Sequence, residues 1–77
     1  MLQYNYNYNK LRGRIVEKYK TQTNFSAALG MSEVSVSNRL VGKNEFYQSD
    51  IERWAELLDI APSDYAAYFF DRKLNEV

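Results

Sequence analysis

The sequence contains no cysteine and no histidine. Without cysteine, the chain can form neither a disulfide nor a thiolate metal site. Without histidine, it lacks the commonest general base and the other common zinc ligand, so most hydrolytic and metal chemistry loses its usual residues. We therefore expect a protein that is not an enzyme and that has no catalytic residues, no metal site and no cofactor.

Long apolar stretches are missing as well. The first ten residues, MLQYNYNYNK, lack the apolar run of a signal peptide, and no segment approaches the length of a membrane span. The default expectation is a soluble, cytoplasmic protein. At 77 residues, the chain fits one domain with a small core and modest stability.

The formal net charge of zero conceals an uneven distribution of charge along the chain. Residues 1–44 contain seven basic and two acidic side chains, whereas residues 45–77 contain three basic and eight acidic ones. This asymmetry suggests a basic face for an anionic partner and an acidic remainder turned away from it. The alternative is that the two parts of the chain neutralise each other.

The segment YNYNYN, residues 4–9, is polar and aromatic and has no helical periodicity. We interpret it as part of an extended arm in which Asn9 caps the first helix, because asparagine accepts well from a free backbone N–H at that position. Tyr4, Tyr6 and Tyr8 could stack on nucleic acid, but packing of their rings against the domain is the favoured interpretation.

Apolar residues at helical spacing, together with capping residues, predict five helices after this arm. The predicted core contains Phe25, Leu29, Val36, Leu40, Trp54 and Leu58. The first helix is expected from Lys10 to Tyr19, the second from Thr21 and Gln22 to the residue before Gly30, and the third from Ser32 to residue 41, before Gly42. The fourth is expected from the cap Ser49 to just before Pro62, and the fifth from Pro62 or the cap Ser63 into the aromatic segment YAAYFF.

The third of these segments, MSEVSVSNRL, is ambiguous when it is considered alone. Val34 and Val36 alternate with polar residues, as in a half-buried strand, whereas Val36 and Leu40 share one face of a helix. A lone strand would need a pairing partner, and no other stretch shows strand alternation with turn signals on both sides. The sequence therefore favours a helix, capped by Ser32 and with the charge of Glu33 in its first turn.

Two short helices separated by a turn at Gly30 make a helix-turn-helix. The stretch TQTNFSAALGMSEVSVSNRLVGK resembles the helix-turn-helix of the phage Cro and repressor (Xre-type) family, and NKLRGRIVEKY with the later YFF resembles small Cro-like regulators of phages from Gram-positive bacteria. The resemblance implies an all-α, compact, five-helix, repressor-like domain over residues 9–77, with a short N-terminal arm, residues 1–8, and the motif at residues 21–42.

The resemblance also implies roles for single residues. Glu33, Val34 and Asn38 match the positions that read base edges, and their chemistry suits cytosine N4, a thymine methyl and adenine. Ser32 could equally serve only as a helix cap. Contacts with the DNA backbone are expected for Gln22, Thr23, Ser32, Ser35, Ser37, Arg39, Lys43 and Asn44.

The function implied by the resemblance is that of a Cro-like repressor that reads double-stranded operator DNA with residues 32–41. Because the reading face carries Glu33, the alternative is a modulator or antirepressor that binds a partner phage repressor through the same surface. A homodimer is expected, since the aromatic segment YAAYFF exceeds what a small core readily hides, with Phe69 or Phe70 in the contact.

Overall fold

The computed structural model describes residues 6–72 and places five α-helices along them. A short 3₁₀ helix, Pro62–Asp64, leads into the last of them. None of the helices within these residues is long and apolar enough to cross a membrane. The ends of the predicted arm and domain, residues 1–5 with Tyr4 and residues 73–77, lie outside the described part. The helices are α1, Asn9–Tyr19; α2, Gln22–Leu29; α3, Glu33–Leu40; α4, Gln48–Leu58; and α5, Tyr65–Phe69.

The all-α class is confirmed, and so is the helix predicted in MSEVSVSNRL, where α3 spans Glu33–Leu40 between its caps Ser32 and Val41. In residues 6–72, the only strand-like pairing is an isolated antiparallel bridge between Tyr6 and Arg72. Next to it, the Asn7 backbone N–H donates to the Asp71 carbonyl at 2.6 Å. This bridge holds the arm against the residues that follow α5.

Local capping explains where α2 and α3 begin. The Thr21 hydroxyl accepts from the Asn24 backbone N–H at 3.1 Å, and the Ser32 hydroxyl accepts from the Ser35 N–H at 3.1 Å. Each cap satisfies one of the backbone donors that a helix leaves free at its start. Gly30 ends α2 with a φ of +73°, a left-handed conformation that glycine adopts without a Cβ penalty. Both predicted starts and the Gly30 stop are confirmed.

Two predicted caps were wrong. Asn9 is the first residue of α1, and the side chain that accepts its backbone N–H is that of Asn7, at 2.9 Å. At the start of α4, Asp50 rather than Ser49 supplies the acceptor, because its Oδ2 lies 2.9 Å from the Tyr47 backbone nitrogen. In both places, several polar side chains are close together in sequence, so the sequence alone did not identify which of them accepts the free backbone N–H at the start of the helix.

A single apolar core lies between the helices, and Trp54 is fully buried within it. The Trp54 ring meets Phe25 and Phe46 edge to face, at centroid distances of 5.0 and 4.7 Å. All six predicted core residues are buried. The arm adds to this packing, since the ring centroids of Tyr8 and Phe46 are 5.3 Å apart. The buried apolar residues are Leu11, Ile15, Phe25, Leu29, Val36, Leu40, Ile51, Trp54, Ala55, Leu58, Ile60, Tyr68 and Phe69.

Candidate functional site

The candidate site is the surface formed by α2 and α3, which we call the helix-turn-helix surface. Phe25 and Leu29 of α2 and Val36 of α3 are buried, so apolar packing fixes the two helices against each other. After Gly30, the Met31 backbone N–H donates a hydrogen bond to the Ser26 carbonyl at 3.1 Å, which closes the turn. The outward side of α3 is therefore held in one orientation.

The outward side of α3 is apolar at both ends and polar in the middle. Val34 is 68% exposed and Val41, which follows the last turn, is 56% exposed. Ser37 and Asn38 lie between them and are half-buried. Residues at spacings of three, four and seven share one helix face, so these four side chains form a stripe along α3. A shallow depression beside this stripe is lined by Gln22, Glu33, Val34, Ser37 and Asn38.

Glu33 stands in the first turn of α3 at the edge of the depression. Its Oε1 accepts a hydrogen bond from the Thr23 hydroxyl of α2. Within residues 6–72, Glu33 forms no ion pair. The partial positive charge of the helix N-terminus stabilises the carboxylate there. The result is an exposed negative charge on the surface for which DNA contacts were predicted.

Arg39, a predicted phosphate contact, is turned into the domain. Its Nε lies 3.1 Å from Asp50 Oδ2, and its Nη1 donates to the Ser35 carbonyl at 3.1 Å. The side chains of Arg39 and Asp50 are 12% and 16% exposed. The only basic residue of α3 thus fastens the helix to the start of α4 and presents no free guanidinium to a partner.

The remaining predicted backbone contacts occupy different surroundings. The Ser32 hydroxyl donates to the Ser35 hydroxyl at 2.9 Å in addition to capping α3, so both side chains take part in the cap. Lys43 and Asn44 are exposed in the turn after α3, where their backbone N–H groups donate to the Asn38 carbonyl at 2.9 and 3.1 Å. The structure thus brings Gln22, Thr23 and the α3 residues together and places Lys43 and Asn44 beyond the end of the helix.

Sequence reasoning gave no role to Arg12 of α1. Its Nη2 donates to the Leu40 carbonyl at 2.9 Å, which satisfies a free acceptor at the end of α3. Since Arg12 and Leu40 are 28 positions apart, no local pattern marks this contact. Arg12 and Arg39 together hold α3 in place.

The basic and acidic parts of the chain do partly neutralise each other. Two of the ion pairs within residues 6–72, Arg39–Asp50 and Lys18–Asp59, join a basic residue of the first part to an acidic residue of the second. Lys18 Nζ lies 2.9 Å from Asp59 Oδ2, and this hydrogen bond and charge hold the pKa of Asp59 below its usual value. The basic surface is accordingly weaker than the sequence suggests.

Of the two residues predicted for a dimer contact, only Phe70 is accessible. Phe69 is 2% exposed and lies in the core, 5.4 Å from the Phe46 ring. Phe70 is 50% exposed, and its ring meets Tyr6 edge to face at 6.4 Å. Helical spacing turns Phe69 inward, whereas Phe70 follows the last residue of α5, so Phe70 is the one of the two that stays a candidate for the predicted contact.

Comparisons with known proteins agree with a phage regulator. A family model described as "Protein of unknown function (DUF739)" matches residues 4–72. The chain is also similar to the modulator of repression (MOR) of the temperate bacteriophage TP901-1 from Lactococcus lactis, known from a solution structure. The two are 38% identical, the TM-score is 0.79, and the match covers 91% of this chain and 95% of that chain. No curated protein sequence matches the chain.

Proposed function

The chain belongs to the DUF739 family, and we propose that it is a modulator of repression that binds a partner phage repressor through its helix-turn-helix surface. By covering the partner's DNA-reading face, it would keep that repressor from its operator. In this proposal the protein acts by binding alone, without catalysis or a cofactor. Its similarity to a phage modulator of repression supports this function over that of a Cro-like repressor.

The observation that carries the proposal is the composition of the exposed face of α3. A surface that binds DNA needs basic side chains to meet the phosphates, and phosphate contacts supply much of the affinity. Here the only basic residue of α3, Arg39, is paired with Asp50, and Glu33 is exposed instead. Val34 and Val41 offer apolar area of the kind that the centre of a protein interface buries.

The first hypothesis from the sequence, operator DNA binding, retains the helix-turn-helix geometry in its favour. The exposed Lys43 and Asn44 at the end of α3 remain candidates for phosphate contacts, and Asn38 remains a candidate base reader. However, a carboxylate beside phosphates weakens binding unless a cytosine amino group or an arginine meets it. The two hypotheses therefore predict different partners for the helix-turn-helix surface: operator DNA for a Cro-like repressor, and a repressor protein for a modulator.

A binding experiment with matched valine variants tests the proposal. The DNA-binding domain of each helix-turn-helix repressor encoded in the same genome is titrated with the wild-type chain and with Val34→Ser, Val41→Ser and Val16→Ser. Val16, on α1, is exposed to the same 56% as Val41 and serves as the control. Losing a buried valine contact at the interface costs about 1 kcal/mol, so Val34→Ser and Val41→Ser should each bind about fivefold more weakly.

Adding the wild-type chain to the repressor domain bound to labelled operator DNA should also release the domain from that DNA. Because the proposed interface contains few charges, its affinity should change much less with added salt than binding that depends on many phosphate contacts, which weakens steeply. If no repressor domain binds, or if Val16→Ser and Val41→Ser weaken binding equally, the helix-turn-helix surface is not the repressor-binding site.

A further inference from the structure

The depression between α2 and α3 has a chemical character that points to a particular side chain of the partner. Its lining combines the Glu33 carboxylate, the amide groups of Gln22 and Asn38, the Ser37 hydroxyl and the apolar side of Val34. No basic side chain belongs to this lining. The side chains thus offer several oxygen acceptors around one negative charge, with an apolar flank.

The Glu33 carboxylate is held in position but its charge is not neutralised. The Thr23 hydroxyl donates to Oε1 and so fixes the side chain across the gap between the two helices. The other acidic residues that pair within residues 6–72, Glu17, Asp50 and Asp59, each have a cationic partner, whereas Glu33 has only this neutral donor. A carboxylate in this state can form a charge-assisted hydrogen bond with an incoming cation.

We propose, on the basis of the function proposed above, that the depression receives an arginine side chain from the DNA-reading face of the partner repressor. The guanidinium would donate to Glu33 and to the amide oxygen of Asn38, and its aliphatic stem would lie along Val34. DNA-reading faces carry arginine because it contacts guanine and phosphates. Engaging that arginine removes it from DNA, which gives the masking of the repressor a chemical basis.

Arginine fits the lining better than lysine does. A guanidinium is planar, presents several N–H donors in a fixed fork and is weakly hydrated, so it can reach a carboxylate and neighbouring acceptors at once. An ammonium group is a compact, strongly hydrated charge. In this arrangement Thr23 is a positioning residue, because its hydroxyl orients the carboxylate and does not itself face the arginine.

Glu33→Gln tests the inference, with Glu52→Gln as the matched control. Glu52 is an exposed glutamate of α4 and does not line the depression. Removing one partner of a charge pair at an interface typically affects dissociation strongly, so Glu33→Gln should weaken repressor binding roughly tenfold or more. Glu52→Gln should leave binding within about twofold, since rim and remote charges contribute little. Thr23→Val alone should produce an intermediate loss, and adding it to Glu33→Gln should not deepen the loss caused by Glu33→Gln.

Glu33→Gln would change the affinity for operator DNA in the opposite direction. If the depression faced phosphates, removal of the Glu33 charge would strengthen binding to a duplex, because a repulsion would be lost. Stronger duplex binding by Glu33→Gln together with unchanged repressor binding would overturn the inference. Unchanged repressor binding alone would also overturn it, while the proposed function would stand on the valine variants.

A small probe tests the depression without any repressor. N-acetyl-arginine amide is titrated into the isotope-labelled full chain while backbone amide resonances are recorded. The expected result is a set of shifts at Gln22, Glu33 and Asn38 that Glu33→Gln abolishes and that N-acetyl-lysine amide does not reproduce at equal concentration. Shifts that are absent, or that are the same in Glu33→Gln, would overturn the inference whether or not a repressor binds. Failure of the wild-type chain to bind any repressor would overturn the proposed function instead.

Discussion

Replacing Arg39 by alanine should destabilise the fold substantially although the residue lies on the candidate site. Arg39 donates to Asp50 and to the Ser35 carbonyl, and its side chain is 12% exposed. A hydrogen bond to a charged group contributes about 1.5–3 kcal/mol, and breaking a fully buried pair costs about 3–5 kcal/mol. Since Asp50 is 16% exposed and keeps its bond from the Tyr47 N–H, we expect a loss of about 2–3 kcal/mol.

Urea unfolding followed by circular dichroism and by the fluorescence of Trp54 measures this loss. A domain of this size has a total stability of roughly 4–10 kcal/mol, so Arg39→Ala should remove a large part of it. With a slope near 1 kcal/mol/M, the urea midpoint should fall by about 2–3 M. Arg53→Ala, at an exposed position of α4, is the matched control and should stay within about 0.5 kcal/mol of wild type.

A double-mutant cycle isolates the pair. In the wild-type background, Asp50→Asn keeps an acceptor for the Tyr47 N–H but weakens the bond from Arg39. In the Arg39→Ala background, the same change should cost little, because it removes a carboxylate that no longer has a cationic partner. Equal effects of Asp50→Asn in both backgrounds, or a loss below about 0.5 kcal/mol for Arg39→Ala, would refute the claim that this pair fastens α3 to α4.

Three further predictions follow from single features. Gly30→Ala should cost about 1–2 kcal/mol in urea unfolding, because alanine is strained at a φ of +73°; unchanged stability would contradict that origin. The lowered pKa of Asp59 means that its pairing with Lys18 stabilises the fold at pH values above the unfolded pKa of about 3.9, and this stabilisation is lost as the pH falls through the folded pKa. The difference in unfolding free energy between wild type and Asp59→Asn should therefore shrink in acid. Phe70→Ser should abolish the concentration-dependent sedimentation expected of a weak homodimer, and a strictly monomeric wild type would show that no such dimer forms.

The parts of the fold that were predictable from the sequence depend on short-range chemistry. Thr21 and Ser32 cap their helices through backbone N–H groups three residues away, and Gly30 ends α2 through its own φ. These signals lie within a few residues of the boundary they set, so they can be recognised in the sequence. The apolar spacing of Val36 and Leu40 likewise identified α3 as a helix and its buried face.

The features that escaped prediction depend on partners that are distant in the sequence. Arg39 stands on α3 where a phosphate contact was expected, and only the packing of α4 brings Asp50 within its reach. Arg12 reaches the end of α3 from α1 for the same reason. The site residues were recognisable as a group, but the sequence alone did not show which of their charges the fold itself uses.

The bridge between Tyr6 and Arg72 places the segment before α1 beside the segment after α5, so the backbone path from residue 6 to residue 72 is close to a closed ring. A covalent link between Tyr6 and Arg72 would need little rearrangement of the helices. Closing a loop of this length would lower the entropy of the unfolded chain by the equivalent of about 4 kcal/mol. New ends could then be opened in the exposed turn at Lys43 and Asn44, so this small domain is suited to circular permutation.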